Sequence, residues 1–399
     1  MKVLLSAYAC EPGKGSEPEV GLRMMLAAAE RHSVWVLTRQ NNVEPLENFL
    51  RDHPLKKQIT IVGFDSNARH LRLKRLMGRF GTLWYYDRWQ GAIRDLASAL
   101  DTENDFDVVH HITLAAYWGR LGVGHLQKPL VVGPVGGAAT SPIRLLPTLG
   151  LSGVTGEIAR RLVRPLVARV TGARQVQREA AAIVAQNKEA AEAIGAPASR
   201  TTILPNGLIG ATDEDPGPPV RTDDVRFIFA GRLAAWKGPH LAIRALAHYP
   251  STTAVLEIYG SGRPMGRLVK EAAKLGLGDR VIFPGAVSRP ELLDRLASSS
   301  ALIHPALHDD SPLIVAEALS VGTPVVYLDR AGPPVIAGFW PSAMSRPVSP
   351  STPRRTAIAL ADALTQVVGT AGPHDGSPAR RFTDGMLDIY ERVVDQPRV

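Results

Sequence analysis

Two cations in the second half of the chain have types and spacing suited to phosphate chemistry. Arg232 and Lys237 lie in the stretch Gly231-Arg-Leu-Ala-Ala-Trp-Lys-Gly238, directly after a predicted strand. A guanidinium offers a planar fork for phosphate oxygens, and an ammonium offers a compact point charge. The glycines let the backbone approach a ligand closely. The stretch therefore predicts a diphosphate site; the alternative is a pair of surface cations at the start of a helix.

Two carboxylates, Asp309 and Glu317, stand eight residues apart. Asp309 is predicted in a loop after a strand, where it can accept hydrogen bonds from sugar hydroxyls. Glu317 is predicted on the following helix, where it can accept from a ribose diol. Each acid could instead serve the helix alone, Asp309 as its N-cap and Glu317 as a complement to its dipole. The predicted N-terminal positions of that helix, an anion-binding location, are Asp310, Ser311, Pro312 and Leu313.

Smaller candidates follow other predicted strands. Gly13-Lys-Gly-Ser-Glu-Pro-Glu-Val-Gly21 comes directly after the first strand, and a helix starting near Pro18 would aim free N–H groups at an anion. His110 and His111 end a strand whose side chains alternate in direction, so one of them points into a ligand cleft, and we favour His110. Each of the remaining candidates is singly more often part of a plain turn. They are Gly15, Ser16, Gly136, Asn206 and Gly262.

Short β-rich runs alternate with Ala- and Leu-rich helical stretches, which favours parallel sheets covered by helices on both faces. The predicted strands of the first half are Val3–Ala7, Val34–Leu37, Ile59–Phe64, Val108–Ile112, Leu130–Val132, Ala182–Ala185 and Thr202–Leu204. Those of the second half are Arg226–Ala230, Ala254–Tyr259, Val281–Phe283, Ala301–His304 and Pro324–Leu328. Ligands bind at the carboxyl ends of such strands, so the residues just after strands are the ones that matter for function.

The strand series restarts near Phe227, after a stretch of linker composition. We therefore predict an α/β fold of two doubly wound, Rossmann-like domains facing each other across a cleft. The first spans residues 1–206, a linker spans 207–224, and the second spans 225–379. The segments Pro347–Pro353 and Gly369–Pro378 are also linker-like, and Arg380 to Val394 is predicted to be a closing helix.

Composition indicates a globular protein of two domains. The chain has 399 residues, of which 45% are hydrophobic and 21% charged. Its one cysteine, Cys10, fits a reducing cytosol. The run Val3-Leu4-Leu5 is too short for a signal peptide, and no stretch approaches the roughly 20 apolar residues of a membrane span. We therefore expect a cytoplasmic location.

The formal charge of +8 lies entirely in the first half, with 26 Lys and Arg against 18 Asp and Glu up to Asn206, and 20 of each after it. A solvated, arginine-rich surface is one interpretation. The other is contact with an anionic acceptor or with the inner face of a membrane. No nucleic-acid motif is present, so no nucleic-acid partner is expected. The basic positions concerned are Arg69 to Arg79, Arg160, Arg161, Arg164, Arg169 and Arg174.

The sequence has no cluster of His, Cys and Asp with metal-ligand spacing. The Asp-x-Asp pattern of many metal-dependent sugar transferases occurs only as Asp105-Phe-Asp107, before a strand, and as Asp213-Glu-Asp215, in the predicted linker. Neither is well placed for a metal. We therefore expect chemistry without a metal ion or a bound cofactor.

As a set, these motifs resemble the family 4 retaining glycosyltransferases, whose two-Rossmann-domain architecture is called GT-B. The resemblance covers most of the chain. The matching stretches of the second half are Gly231 to Gly238, Ile258-Tyr-Gly-Ser-Gly262, Val281-Ile-Phe-Pro-Gly285 and Asp309 to Val326, with Leu204-Pro-Asn-Gly207 at the junction. The first half is similar to a bacterial subgroup through Tyr8 to Gly21, Asp107-Val-Val-His-His111 and Gly133-Pro-Val-Gly-Gly137.

This resemblance implies transfer of a sugar, with retention, from a UDP- or GDP-linked donor. The acceptor, a small molecule, a glycan or a lipid-linked sugar, would bind to the first domain. Arg232 and Lys237 would bind the donor diphosphate and stabilise the leaving group. Gly15 and Ser16 would approach the phosphates from the first domain, and the closing helix, residues 380–399, would return to that domain.

The same resemblance implies roles around the transferred sugar. Asp309 would contact that sugar, Glu317 would hold the nucleotide ribose, and His110 would lie beside the anomeric centre. Asp309 departs from the family pattern, which usually has Glu as the first acid of a Glu-x7-Glu motif. Aspartate is one methylene shorter, which sets its carboxylate back by about 1.5 Å. Asp310-Ser311 also replaces the usual Gly-Phe pair, so an unusual donor sugar or a role shared with Asp310 is implied.

Two other classes of function stay open. The GT-B architecture also hosts sugar-nucleotide epimerases and phosphorylases. A non-catalytic protein that binds a nucleotide sugar would have the same fold, although intact Arg232, Lys237 and Glu317 favour an enzyme. Incubation of a donor without acceptor, followed by analysis for epimerised sugar, separates the first of these classes from a transferase.

Overall fold

The computed structural model describes residues 1–14, 16–171, 177–208, 224–370, 372 and 377–395, with the side chains at 16, 79 and 80 excepted. Its residues form two compact units. Unit 1 comprises residues 1–138, 163–207 and 382–399, and unit 2 comprises residues 139–162 and 208–381. Most of the predicted linker, residues 209–223, lies outside the described residues.

Unit 1 is built on a parallel sheet of short apolar strands. The two central strands β4 and β5 are buried along their whole length, as in sheets covered on both faces. The sheet order is β3-β2-β1-β4-β5-β6-β7. The strands are β1 (Lys2–Ser6), β2 (Ser33–Thr38), β3 (Ile59–Gly63), β4 (Val108–His111), β5 (Leu130–Val135), β6 (Ala182–Ala185) and β7 (Thr201–Ile203).

Helices connect most of these parallel strands, whereas residues 112–129 join β4 to β5 without a helix. Those of the first half of the chain are α1 (Ser16–Ala29), α2 (Gln40–Leu50), α3 (Ala68–Leu76), α4 (Gly78–Ala92), α5 (Arg94–Asn104), α6 (Gly150–Val170) and α7 (Lys188–Ile194). α1 begins two residues before Pro18, so proline occupies its first turn, where its missing N–H costs nothing.

Unit 2 has a second parallel sheet, in the order β10-β9-β8-β11-β12-β13. Its strands are β8 (Arg226–Ala230), β9 (Val255–Tyr259), β10 (Val281–Gly285), β11 (Ala301–His304), β12 (Val325–Leu328) and β13 (Ser345–Val348). The helices of the second half are α8 (Pro239–His248), α9 (Met265–Lys274), α10 (Arg289–Ala297), α11 (Leu313–Ser320), α12 (Pro333–Ala337), α13 (Pro353–Val367) and α14 (Ser377–Asp395).

The segment 139–162 belongs to unit 2, whereas the predicted bounds place it in the first domain. Its side chains Leu145 and Leu149 are almost fully buried and join the same hydrophobic core as Phe227 and Phe229 of β8. Burial of these two leucines stabilises the segment on unit 2 at about 1.5–3 kcal/mol for each side chain. Position along the chain alone does not reveal that this segment packs on unit 2.

Strand β13 is absent from the prediction, which assigns the overlapping segment Pro347–Pro353 to a linker. β13 is the edge strand of the unit 2 sheet and pairs only with β12 among the described strands. Its sequence, Ser-Arg-Pro-Val, is mostly polar and contains Pro347, which an edge strand tolerates because one side of it needs no ladder hydrogen bond. A polar strand of this kind carries no periodic apolar signal.

Candidate active site

The order of strands in unit 2 reverses between β8 and β11. From β8 the chain proceeds outward to β9 and β10, and from β11 it proceeds in the other direction to β12 and β13. In open parallel sheets this reversal leaves a crevice at the carboxyl ends of the two strands, where ligands bind. Lys237 comes shortly after β8, and Asp309 comes shortly after β11, so two of the predicted site residues lie at this position.

Lys237 and Asp309 form an ion pair at the strand reversal. Both side chains are largely buried, at 16% and 14% exposed. Burial alone would raise the pKa of Asp309, but the Lys237 ammonium and the imidazole of His304 outweigh it and lower the pKa to about 2. The Nε2 atom of His304 lies 3.2 Å from the Asp309 carboxylate. Asp309 is therefore ionised throughout the physiological pH range.

Trp236 brings the second predicted cation to the same place. Its ring stacks on the imidazole of His308, with 4.8 Å between centroids and 15° between planes. The Lys237 ammonium lies 4.8 Å from the Trp236 ring, and the Arg232 guanidinium carbon lies 5.8 Å from it. Both distances fall within the range of cation–π attraction. Arg232 is exposed, so its fork is accessible to a ligand.

Glycine allows the two loops of this site to touch. Gly238 has a φ of +76°, and a Cβ placed there would lie 2.1 Å from the carbonyl oxygen of Pro305. The Leu307 N–H donates to the carbonyl of Trp236 at 2.7 Å, which joins the same two loops. Any larger residue at 238 would separate the loop after β8 from the loop after β11.

Two further glycines bring the loop after β9 against the loop after β8. Gly260 has a φ of +128°, and a Cβ there would lie 1.9 Å from the carbonyl oxygen of Gly231. A Cβ on Gly262 would lie 2.0 Å from the carbonyl oxygen of Leu233. The predicted ligand contacts Gly231 and Gly262 thus have a structural role as the place where two backbones meet, and Gly231 itself is exposed.

The segment from Asp310 to Leu313 leads into α11, whose N-cap is Pro312. The interpretation of Asp309 as a helix cap is therefore wrong. Gly332, which follows β12, donates its N–H to the Asp309 carbonyl at 2.9 Å, and a Cβ on it would lie 2.1 Å from the Asp310 carbonyl oxygen. The loop that carries Asp309 is therefore held by backbone contacts with Gly332.

Glu317 lies on α11 and is paired with Arg289, at 2.8 Å between the guanidinium Nε and the carboxylate. Glu317 is 13% exposed and Arg289 44% exposed. The pair is separate from the Lys237–Asp309 pair, with which it shares no contact that the structure gives. Arg289, the first residue of α10, was missed by the sequence analysis because its surroundings, Ser-Arg-Pro-Glu, are those of an ordinary helix start.

A buried carboxylate supports the ring beneath Trp236. Glu157, 2% exposed, accepts hydrogen bonds from the Ser141 backbone N–H at 2.8 Å and from its hydroxyl at 3.2 Å. The Ser141 hydroxyl also lies 2.8 Å from Nδ1 of His308. Arg161 donates to the Ser141 carbonyl at 2.5 Å. Ser141, Glu157 and Arg161 come from the segment 139–162 that joins unit 2. No local motif could therefore have predicted them.

His110 lies in unit 1, at the end of β4, and is fully buried. Its Nε2 lies 2.8 Å from the Gly133 carbonyl, and its Nδ1 lies 2.6 Å from the Tyr390 hydroxyl. Burial lowers its pKa to about 3, so the ring is neutral. Because a carbonyl only accepts, Nε2 carries the proton and Nδ1 accepts from the tyrosine. Both ring nitrogens are therefore engaged with groups of the protein.

His111 is also buried, and its Nε2 lies 3.0 Å from the Tyr86 hydroxyl. Burial lowers its pKa to about 4. Because side chains alternate in direction along β4, the two histidines have different partners. His110 contacts Tyr390 on α14, and His111 contacts Tyr86 on α4. The sequence predicts a difference between the two rings but not that both are buried.

The other predicted residues of unit 1 are only partly described. Gly136 is buried, and a Cβ there would lie 2.6 Å from the side-chain oxygen of Gln186. Asn206 follows β7 and is partly buried. Ser16 is the first residue of α1, but its side chain is not described, and Gly15 lies outside the described residues, as does Arg174.

Within the described part of the chain, no group of three or more His, Cys, Asp or Glu side chains is arranged to hold a metal ion. The expectation that no metal takes part stays a prediction. In the same residues, no helix combines the length and the apolar character that crossing a bilayer requires.

Comparison with protein families gives a match in the second half of the chain. Residues 212–341 match the family model for glycosyl transferases group 1. The D-inositol 3-phosphate glycosyltransferase of Xylanimonas cellulosilytica is 30% identical over 256 residues, which cover 58% of this chain and 57% of that protein. The chain therefore spans little more than half the length of this relative.

Comparison with solved structures covers nearly the whole chain. The lipopolysaccharide outer core galactosyltransferase WaaB matches with a TM-score of 0.61 at 16% identity, over 99% of both chains. HepE of Anabaena, solved in complex with UDP, matches with a TM-score of 0.57 at 18% identity, also over 99% of both. These likenesses confirm the predicted fold class, two Rossmann-like α/β domains of the GT-B type.

Proposed function

We propose, from the glycosyl transferases group 1 domain at residues 212–341, that this chain transfers a sugar from a nucleotide-diphosphate donor to an acceptor, with retention and without a metal ion. The observation that carries the proposal is the Lys237–Asp309 pair, held at the strand reversal of unit 2 with Arg232 beside it. A cation and a carboxylate that compensate each other can turn to opposite ends of a sugar diphosphate.

In the proposed reaction the sugar–phosphate bond breaks and negative charge develops on the departing diphosphate. Lys237 and Arg232 neutralise that charge. Groups that are already in position to stabilise a developing charge lower the reaction barrier substantially. Trp236 holds both cations against its ring before the donor arrives. The first turn of α11 leaves backbone N–H groups without helical partners, and we propose that they contribute to binding the same anion.

Asp309 is the group that we propose to contact the transferred sugar. When Lys237 turns toward a phosphate, the carboxylate is released to accept hydrogen bonds from sugar hydroxyls. In the ion pair with Lys237, its pKa of about 2 keeps it ionised. Gly332 fixes the backbone of this loop, so the short side chain of aspartate places the carboxylate further from the ligand than glutamate would, which favours a donor sugar other than the one the Glu-containing relatives use.

Retention is proposed to occur with attack of the acceptor from the face that the diphosphate leaves. The departing phosphate then takes the proton of the acceptor hydroxyl, and no protein base is needed. The engagement of both His110 nitrogens supports this, because neither is available as a base. The catalytic role predicted for His110 stays a prediction, with positioning of the Gly133 turn as the contribution that its hydrogen bond to that carbonyl supports.

We propose UDP as the first nucleotide to test, because the chain shares its fold with HepE, which was solved with UDP and with UDP-glucose; GDP is the alternative. The acceptor is proposed to be a small molecule, a glycan or a lipid-linked sugar. Peripheral membrane contact through the basic first half also stays a prediction, and flotation with anionic vesicles tests it.

Lys237→Ala tests the proposed function directly. We expect it to lower the release of nucleoside diphosphate from UDP- and GDP-sugars by about 10²–10³-fold, the usual loss when one stabilising group is removed from a developing anion. Lys274→Ala removes an exposed lysine of the same unit and should leave release unchanged. Release that is unaffected in both Lys237→Ala and Arg232→Ala would exclude the assignment.

A further inference from the structure

A second cationic cluster lies in unit 1, at the carboxyl ends of β1, β2 and β3. Tyr8 comes two residues after β1, Arg39 comes directly after β2, and Asp65 comes two residues after β3. These strands are neighbours in the order β3-β2-β1, so their ends form one continuous edge. Lys74 of α3 joins the cluster from above the same edge, through a hydrogen bond to the Tyr8 hydroxyl at 3.3 Å.

The cations of this cluster are held in fixed positions. Arg39 donates to both carboxylate oxygens of Asp65, at 2.9 Å from Nε and 3.3 Å from Nη2. The Tyr85 hydroxyl donates to the same carboxylate at 2.8 Å. The Arg39 guanidinium carbon lies 5.2 Å from the Tyr85 ring, and the Lys74 ammonium lies 5.1 Å from it. Both cations are thus stacked near the ring of one tyrosine.

The charges of this cluster do not balance. The carboxylate of Asp65 is engaged by Arg39 and Tyr85, whereas Lys74 contacts a neutral hydroxyl. Arg39 is 14% exposed, and Lys74 is partly buried. Burial, and after it the nearby Arg39 charge, lowers the pKa of Lys74. Arg39 and Lys74 are two partly buried positive charges beside the single carboxylate of Asp65, so they repel each other. An anion bound between them would offset this repulsion.

We propose that Arg39 and Lys74 bind a phosphate group, carried by the acceptor substrate of the proposed transferase. Both cations carry more N–H groups than their hydrogen bonds to Asp65 and Tyr8 use. A guanidinium fork and an ammonium together suit the three terminal oxygens of a phosphate. An uncharged sugar hydroxyl would need no second cation. That the phosphate belongs to the acceptor rests on the proposed function; that a phosphate binds does not.

Lys74→Gln is the variant that tests the cluster. It removes one cation and leaves the Arg39–Asp65 pair intact, so the fold should be kept. Lys57→Gln is the matched control, since it makes the same substitution at an exposed position of the same unit, outside the basic stretch Arg69 to Arg79. Lys74→Arg keeps the charge and should restore most binding. All are made in the full chain carrying Arg232→Ala, which weakens the separate diphosphate site of unit 2 and leaves the Lys237–Asp309 pair intact.

Calorimetry with glycerol 3-phosphate and co-sedimentation with phosphatidylcholine vesicles containing phosphatidic acid, whose headgroup is a phosphomonoester, supply the two arms of the experiment. They separate a soluble phosphate ester from a lipid headgroup. We expect one probe to bind, with affinity lowered about tenfold or more by Lys74→Gln and unchanged by Lys57→Gln. The arm that responds identifies the source of the phosphate. Absence of binding in both arms, or equal binding by Lys74→Gln and its control, would overturn the proposal.

The outcome for the cluster is distinguishable from the outcome for the proposed function. Phosphate binding that depends on Lys74, in a chain whose wild type binds no nucleoside diphosphate, supports the cluster and removes its assignment to an acceptor. Nucleoside diphosphate binding without phosphate binding at Lys74 overturns the cluster alone.

Discussion

Lys237 and Asp309 are the residues on which the account depends most. Their ion pair occupies the strand reversal of unit 2, and each charge compensates the other inside a largely buried site. A buried carboxylate that lost its cation would be left uncompensated, which is strongly destabilising. The pair therefore stabilises the loops after β8 and β11, and in the proposed reaction a ligand separates its members.

The acid dependence of stability tests the Asp309 environment. The folded pKa of about 2 lies below the ordinary value of 3.8. The carboxylate therefore contributes its full stability above about pH 4, and the contribution is lost as pH falls toward 2. We expect Asp309→Asn to lower the free energy of unfolding by about 2 kcal/mol at pH 6 and by progressively less below pH 4.

Urea unfolding at about pH 6, 4 and 3 measures this difference. Asp362→Asn, at an exposed position of α13, is the control and should cost little at any pH. A cost for Asp309→Asn that does not change with pH would contradict the ion pair.

Gly238 is the position where the fit of the two loops is most sensitive. Gly238→Ala adds both a strained φ and a methyl group 2.1 Å from a carbonyl oxygen, and we expect a loss of about 3 kcal/mol in unfolding free energy. Gly276 has a similar φ, +69°, with open space around it. Gly276→Ala should therefore cost only about 1 kcal/mol. Equal costs in urea unfolding would show that the contact with Pro305 is unimportant.

At the scale of single residues, local sequence signals select candidate site residues but not the contacts among them. Arg232, Lys237 and Asp309 were predicted because glycine turns and strand ends carry a local signal, and the structure brings these three together through Trp236. The partners Glu157 and Arg289 carried no such signal, because their contacts depend on packing between distant parts of the chain, which one-dimensional patterns do not contain. His304 ends a predicted strand, but its contact with Asp309 was not predicted.

Among the elements, α14 has the closest relation to a predicted catalytic residue. Its Tyr390 is buried and donates to Nδ1 of His110 at the end of β4. The helix thus positions the histidine ring, which in turn donates to the Gly133 turn. α14 in this way supports the end of β4, where the sequence predicts a site residue.

A double-mutant cycle measures this support. Tyr390→Phe and His110→Gln should each lower the unfolding free energy, and together they should cost about 1 kcal/mol less than the sum of the two, because the hydrogen bond is lost only once. Urea unfolding of the wild type and the three variants gives the coupling. Additive costs would mean that the 2.6 Å contact contributes nothing to stability.

Elements with continuous apolar runs were predictable, and those defined by pairing alone were not. Predicted and observed bounds coincide for β6, β8 and β11, whose apolar residues stand between clear turn signals. β13 was missed because an edge strand with proline has no apolar period. The segment 139–162 was assigned by its position in the chain, whereas burial of Leu145 and Leu149 assigns it to unit 2.

For the whole molecule, the family match and the excess positive charge lie in different parts of the chain. Unit 2 carries the glycosyl transferases group 1 match and the cationic site at its strand reversal. The excess positive charge lies in the first half of the chain, where Arg39 and Lys74 are partly buried at a strand edge. An anionic donor at one unit and an anionic acceptor at the other would account for both features.

The most direct test is calorimetry of the full chain with UDP and GDP. The account predicts that one of them binds with a Kd below about 1 mM, that Arg232→Ala and Lys237→Ala each weaken binding about tenfold or more, and that Lys274→Ala does not. Each lost charge-assisted hydrogen bond supplies that difference. Failure of both nucleotides to bind, or binding that neither variant weakens, would contradict the central claim that unit 2 holds a nucleoside diphosphate at its strand reversal.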